Sequence, residues 1–245
     1  LNGEIVSGDS MQVYQEVEVG TAKATKEEQA EVKHYLVDTR SVFDEYSVKD
    51  FVGEATKAIT DISEKGKFPI LAGGTGFYVN ALLNKMQLGE KKDEDSGTSQ
   101  KWEVYLKQNG PQKLWDILNE KDPEAAKKIP IPNSRRTMRA LTVIDRTGEK
   151  FSQQQKKIEP RYDYLIIGLN SDRQEIYRRI NLRVDRMMQK GMLEEAKFIY
   201  QNRDKEHQVL QAIAYKEFFP YFEGKKALDE CVEQLKTASR RYAKR

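Results

Sequence analysis

The sequence predicts an α/β protein, a parallel sheet flanked by helices and interrupted by an all-helical insertion. Short β-branched or apolar runs recur with helical periodicities between them, the alternation expected of a parallel sheet. A charged, apolar-free stretch, Gly89–Gly97, follows the third such run. Beyond it come helical patterns without any strand signal until strand-like sequence resumes at Tyr164. The expected core is residues 1–87 with 161–245, and the expected insertion is residues 88–160.

Glu4–Ser7 reads as the first strand and His34–Val37 as the second, with the polar stretch Thr21–Glu31 between them. From Val48 to Glu64, the apolar residues Phe51, Ala55, Ala58, Ile59 and Ile62 recur at the spacing of an amphipathic helix. Phe68–Ala72 is a third strand, running into Gly73-Gly74-Thr75-Gly76 and then a helix. In the insertion, helices are expected over Trp102–Gln108, Lys113–Asn119, Asp122–Lys128 and Ser134–Thr147. Tyr164–Leu169 reads as a fourth strand. Asp172 opens a helix with Ile176, Ile180, Val184 and Met187 on one face and Arg179, Arg183 and Arg186 on another. Gly191 separates it from a helix through Tyr200, and Ala227, Cys231 and Leu235 mark a last helix with the basic end Arg240–Arg245.

At 245 residues, 38% hydrophobic and 33% charged, the composition is that of a folded globular chain. No run approaches the roughly 18 apolar residues of a membrane span, and the start does not read as a signal peptide, so a cytosolic protein without membrane contact is expected. Cys231 has no partner for an internal disulfide, and His34 and His207 make a poor zinc set, so any metal should be a hard cation held by oxygen. The absence of heptads predicts a monomer. Residues 121–161 carry eleven Lys/Arg against five Asp/Glu, a net +6, and residues 225–245 carry seven against three, a net +4. Such local basic surface suits a polyanion such as RNA, or is a solvated lysine-rich face. The abrupt start at Leu1-Asn2-Gly3 leads to the expectation of residues upstream.

Asp9, at the carboxyl end of the first strand, lies where open α/β sheets place their ligand crevice. It is a candidate general base; capping the next helix or holding magnesium are its other readings. Gly73, Gly74 and Thr75 can turn backbone amides and a hydroxyl toward a diphosphate at a helix N-terminus, although many such turns need glycine for conformation alone. Arg183 has the guanidinium fork that suits phosphate, or pairs with acids such as Asp185 or Glu175. Arg135 and Arg139 share one face of a helix with Met138 and Leu141 on another, a pattern that reads an RNA backbone or is an ordinary amphipathic helix. Gln211–Lys216 offers an amide, an aromatic ring and a lysine that could bracket an unstacked base, or is a plain helix start.

Taken in order, Gly8-Asp9-Ser10-Met11-Gln12-Val13-Tyr14, Gly20-Thr21-Ala22-Lys23, His34-Tyr35-Leu36-Val37-Asp38, Gly73-Gly74-Thr75-Gly76-Phe77-Tyr78, Arg136-Thr137-Met138-Arg139-Ala140-Leu141, Gln211-Ala212-Ile213-Ala214-Tyr215-Lys216-Glu217 and Arg240-Arg241-Tyr242-Ala243-Lys244-Arg245 resemble the bacterial tRNA dimethylallyltransferase family over nearly the whole chain. The resemblance implies a P-loop NTPase-like core of the nucleotide-binding, ATP-binding kind. It further implies transfer of a dimethylallyl group from dimethylallyl diphosphate, with Mg2+, to the N6 amine of the adenosine beside the anticodon of tRNA. By the same resemblance Asp9 is the base, Thr75 contacts the leaving diphosphate, and Ser10, Met11 and Gln12 meet the tRNA. Arg135, Arg136, Thr137, Met138 and Arg139 supply further tRNA contacts, as do Gln211, Ala212, Ile213, Ala214, Tyr215 and Lys216. The family's P-loop motif does not occur in the sequence, and its Gln-Leu-Thr-Trp continuation does not follow Arg245, so both are expected to lie beyond these ends. Ala214 stands where the family commonly has glycine, and Thr142 where it has glutamate. Prenylation of free adenine nucleotides, a P-loop small-molecule kinase and a non-catalytic RNA-binding protein are the competing readings.

Overall fold

In the computed structural model, which describes residues 2–86, 96–154, 159–205 and 208–244, β1 (Gly3–Ser7) is the central strand of a parallel sheet. After α1 (Lys26–Glu31), β2 (His34–Tyr35) pairs on one side of it, and β3 (Phe68–Ala72) pairs on the other, giving the order β2-β1-β3. Gly3 to Ser7 lie opposite Phe68 to Ala72 residue for residue, and Ile5 lies opposite His34. Between β2 and β3 runs α2 (Val48–Glu64). Ser47 starts it with a capping box closed by Asp50, which satisfies N–H groups that a helix start leaves unpaired and contributes about 1 kcal/mol. Phe51, Val52, Ala55, Ala58 and Ile62 form its buried stripe, and Phe51 stacks on Tyr78 at 4.7 Å between ring centres. Tyr78 belongs to α3 (Gly76–Leu83), which leaves the glycine turn after β3.

The chain divides into two compact units, Leu1–Leu83 with Tyr162–Arg245, and Asn84–Arg161. In the second, α4 (Ser96–Lys121), α5 (Pro123–Lys128) and α6 (Ser134–Thr147) close around Trp102, Leu114, Leu118, Ala125, Ala126, Ile129, Ala140 and Leu141. The gap between the helices expected over 102–108 and 113–119 is a break in α4, where Gly110 takes φ 79° and Pro111 follows. Buried Asp122 caps α5 through Ala125 N–H (3.1 Å) and accepts from the Ser152 N–H and hydroxyl (2.7 and 2.8 Å). Burial pushes this carboxyl up, but those donors outweigh burial and hold it below its ordinary range. The expected linker lies largely outside the described residues; Ser96 and Gly97 open α4.

The first unit continues with α7 (Arg173–Gln189), N-capped by Asp172, α8 (Met192–Gln201), the short α9 (Phe219–Phe222) and α10 (Leu228–Tyr242). On α7, Val184 and Met187 are buried while Arg179, Arg183 and Arg186 face solvent. Gly191, with φ 97°, breaks the path between α7 and α8.

Two sequence expectations need correction. Tyr164–Leu169 forms no strand: it is non-helical and unpaired, with Leu165 85% and Leu169 96% exposed. Its residue types favour extended chain, but a strand exists only where its N–H and C=O groups find a ladder partner. The second strand stops at Tyr35 rather than Val37 because Leu36 and Asp38 take φ of 63° and 55°, which turns the backbone out of the sheet.

Glu4 ties the three strands together. Only 5% exposed, it accepts from Lys67 (2.8 Å), from Lys65 (3.2 Å) and from the Tyr35 hydroxyl (2.8 Å). These partners, Lys67 first, lower its pKa from 4.5 to about 2. A carboxyl held low when folded stabilises the fold above its unfolded pKa, and that contribution disappears as pH falls from 4.5 to about 2. The stability gap between the wild type and Glu4→Gln, followed by urea denaturation across pH, should therefore be widest near neutrality and close over that interval. A pH-independent gap would refute the assignment.

Candidate active site

The carboxyl ends of β1 and β3 are stitched together. Gly8 N–H donates to the Ala72 carbonyl (2.8 Å) and Thr75 N–H to the Gly8 carbonyl (3.3 Å). Ser10 N–H donates to the Thr75 hydroxyl oxygen (3.0 Å), and that hydroxyl donates to Ser10 Oγ (3.2 Å). A Cβ on Gly73 would fall 2.4 Å from the Gly8 carbonyl carbon, so this first glycine is required by backbone approach. Gly74 and Gly76 meet no such obstacle; the Tyr242 hydroxyl, from α10, donates to the Gly74 carbonyl at 3.2 Å.

Asp9 stands between these segments. Its Oδ1 accepts from Met11 N–H at 2.8 Å, which sets the turn, while Oδ2 has no hydrogen-bond partner among the described residues. Asp9 thus presents one anchored and one unengaged oxygen on a half-buried side chain. Gln12 is occupied at both ends: its amide oxygen accepts from the Ser7 hydroxyl (3.0 Å), and Nε2 donates to the carbonyls of Thr21 and Ala22 (3.2 and 3.4 Å). Lys23, its side chain 2% exposed, donates to the Tyr14 carbonyl and to Asp38. Burial raises the Asp38 pKa, but Lys23 and Lys26 outweigh it and hold the carboxyl charged.

The 18–23 loop carries an arrangement that sequence reading missed. The Glu195 carboxylate, from α8, accepts from the N–H groups of Glu18 (2.6 Å), Val19 (2.8 Å) and Gly20 (2.8 Å), and from the Tyr215 hydroxyl (2.9 Å). A Cβ on Gly20 would lie 2.5 Å from that hydroxyl oxygen, so two motifs far apart in sequence meet at one contact. Tyr215 is fully buried, and burial first, then the neighbouring Glu195 charge, pushes its hydroxyl well above the ordinary range, so it remains a neutral donor. The expectation that its ring brackets a base is therefore corrected: the ring packs inside the protein. Ala214 is buried too and holds φ 106°, a conformation that favours glycine. Gln211 and Lys216 are exposed, with Ala212 and Ile213 half-buried.

Arg183 lies on a cavity of about 600 Å³ lined also by Lys23, Arg186, Lys190 and Glu18. Gly73, Gly74 and Thr75 are not among the residues that line it. On α6, in the other unit, Arg135, Arg136 and Arg139 are exposed. Thr137 is buried and Met138 packs on the core, so these two members of the expected tRNA-contacting set serve the helix's inner face.

The IPP transferase family model matches residues 12–245. The chain belongs to that family. It is 94% identical over 245 residues to the tRNA dimethylallyltransferase of Lactobacillus helveticus, covering all of this chain and 80% of that relative. Among solved structures, the full-length tRNA isopentenylpyrophosphate transferase of Bacillus halodurans is 42% identical, with a TM-score of 0.69 over 100% of this chain and 77% of the other. A eukaryotic dimethylallyltransferase acting on tRNA is 33% identical, with a TM-score of 0.84 over 99% and 62%. The family and the α/β fold read from the motifs are borne out. Among the described residues no helix is long and apolar enough to cross a membrane.

Proposed function

We infer that this chain is a tRNA dimethylallyltransferase, moving a dimethylallyl group from its diphosphate to the N6 amine of the adenosine beside the anticodon. The observation that carries this is the 94% identity over the full 245 residues to a relative of that name, with the Asp9 and Thr75 motifs intact. In the proposed reaction the N6 lone pair forms a bond to the allylic C1, the C1–O bond breaks, and its electron pair leaves on the diphosphate. The N6 proton passes to Asp9. Its Oδ2, unengaged among the described residues, supports that role, since a base needs a free lone pair within reach of the proton while its other contacts keep it in place.

The Gly73-Gly74-Thr75 turn, at the N-terminus of α3, is proposed to receive the diphosphate through backbone N–H groups and the Thr75 hydroxyl. Arg183 would neutralise part of its charge. Among the described residues no three His, Cys, Asp or Glu side chains form a metal cluster. Mg2+ is compatible with that, because it keeps several waters and is held largely by substrate phosphate oxygens, here those of the diphosphate. When bound, the ion supplies charge neutralisation to the leaving group.

Arg135, Arg136 and Arg139 are proposed to grip RNA phosphates from α6. Ser10 and Met11, with Gln211, Ala212, Ile213 and Lys216, are proposed to face the target nucleotide, beside Gln12, whose amide is engaged by Ser7 and the 18–23 loop. The setting for such a reaction is the cytosol. The test is transfer of labelled dimethylallyl to an anticodon stem-loop RNA and to its adenosine-to-guanosine variant. Label on the adenosine RNA alone is expected; label on free adenosine phosphates but not on RNA would overturn the substrate assignment.

A further inference from the structure

Glu18, Val19 and Gly20 direct three successive backbone N–H groups at one point, and such a run makes a concavity that takes an anion. Here the anion is Glu195. Both of its oxygens are used: Oε2 takes Glu18 and Val19, and Oε1 takes Gly20 and the Tyr215 hydroxyl. Only an acceptor-only group satisfies four converging donors, and an ionised carboxylate makes those bonds stronger than a neutral group would.

The fixed loop acts in turn on the turn that carries Asp9. Its Thr21 and Ala22 carbonyls face Gln12 Nε2, which orients the amide so that Gln12 Oε1 meets the Ser7 hydroxyl. Ser7 spends its single proton on Gln12, leaving a lone pair for the Asp9 backbone N–H at 3.4 Å. Donor and acceptor directions are therefore set at each link from α8 to the carboxyl end of β1.

We propose that Glu195 is a positioning residue for dimethylallyl transfer, holding the 18–23 loop so that Gln12 and Ser7 fix the turn on which Asp9 stands. The proposal rests on the reading of Asp9 as the base. Glu195→Gln places an NH2 group against one pair of donors and breaks that pair, whereas Glu195→Asp keeps an acceptor-only carboxylate on a shorter arm. Displacing a reacting group by about 1 Å costs up to about 100-fold in rate. Glu195→Gln should therefore lower single-turnover kcat by about 10- to 100-fold, with Glu195→Asp intermediate. The KM for dimethylallyl diphosphate and the Kd for stem-loop RNA should stay within about twofold of wild type, since a loss confined to the transition state appears in kcat.

The deciding measurement is the double-mutant cycle. In an Asp9→Asn background, Glu195→Gln should cost nothing more in kcat, because a base that is gone cannot be misplaced. Multiplicative losses, a KM effect alone, or an unchanged kcat for Glu195→Gln would overturn the positioning role. Wild-type kcat in Asp9→Asn itself would sink the reading of the base, a result distinguishable from all of these. If Glu195→Gln does not fold, Gln12→Met, which cuts the next link and spares the Glu195 contacts, is expected to show the same kcat loss and the same cycle with Asp9→Asn. Wild-type kcat in Gln12→Met, or losses that multiply in that cycle, would equally overturn it.

Discussion

Asp9→Asn is expected to lower kcat for dimethylallyl transfer by about 10²- to 10⁴-fold, the range that a positioned general base supplies, while RNA binding and melting temperature stay near wild type. The substitution is informative because of how the two carboxylate oxygens divide their work. Oδ1 holds Met11 N–H at 2.8 Å, and an asparagine carbonyl can keep that bond, so the turn survives. Oδ2, without a partner among the described residues, becomes an amide nitrogen with no lone pair to accept a proton. Asp9→Ala removes both functions and should add a stability loss that Asp9→Asn lacks. Single-turnover transfer beside RNA binding separates the cases: a rate loss without a binding loss marks a base. A kcat for Asp9→Asn within about threefold of wild type is far below what losing a general base costs and would mean that the proton leaves by another route.

The residues that made the site legible in sequence are those whose role is set locally. β1, β3 and α2 follow from short apolar runs and from a stripe closed by the Ser47–Asp50 box. Asp9 and Thr75 stand at the ends of adjacent strands, so reading both as strand ends already places them together, and the structure joins their segments through Ser10. Glu195 was not legible because its contact with Gly20 spans 175 positions, and an acid on a helix looks the same whether it meets solvent or a loop. Tyr215 was misread for a related reason: an aromatic beside a lysine fits a base stacker by residue type, and only packing against Gly20 and Glu195 reveals a buried strut. Tyr164–Leu169 has strand chemistry without a ladder, which no local pattern can reveal. Ala214 is the informative departure: it occupies the position where glycine was expected from the family and adopts a backbone conformation that favours glycine, at a cost on the order of 1–3 kcal/mol.

Gly73→Ala is expected to damage both stability and transfer, and its comparison with Gly76→Ala isolates the cause. A methyl on Gly73 would sit 2.4 Å from the carbonyl carbon of Gly8 and 2.7 Å from its Cα and oxygen, all main-chain atoms that no side-chain rotation can clear. Relief requires parting the ends of β1 and β3, which strains the Gly8–Ala72 bond (2.8 Å) and the Thr75–Gly8 bond (3.3 Å). Forcing atoms into closely packed space costs about 1–3 kcal/mol, and the displaced Thr75 would lose its register with Ser10, which carries the loss into the transfer rate. Gly76 has no atom within 4 Å of the equivalent methyl and opens α3, where alanine is the better helix former by up to about 1 kcal/mol, so Gly76→Ala should leave stability unchanged or slightly raised. Urea denaturation of both variants decides between two meanings of the glycine run. Equal stability would mean that the turn needs glycine only to expose its amides to an anion; a loss confined to Gly73→Ala means that glycine is required there by the close backbone approach of the ends of β1 and β3.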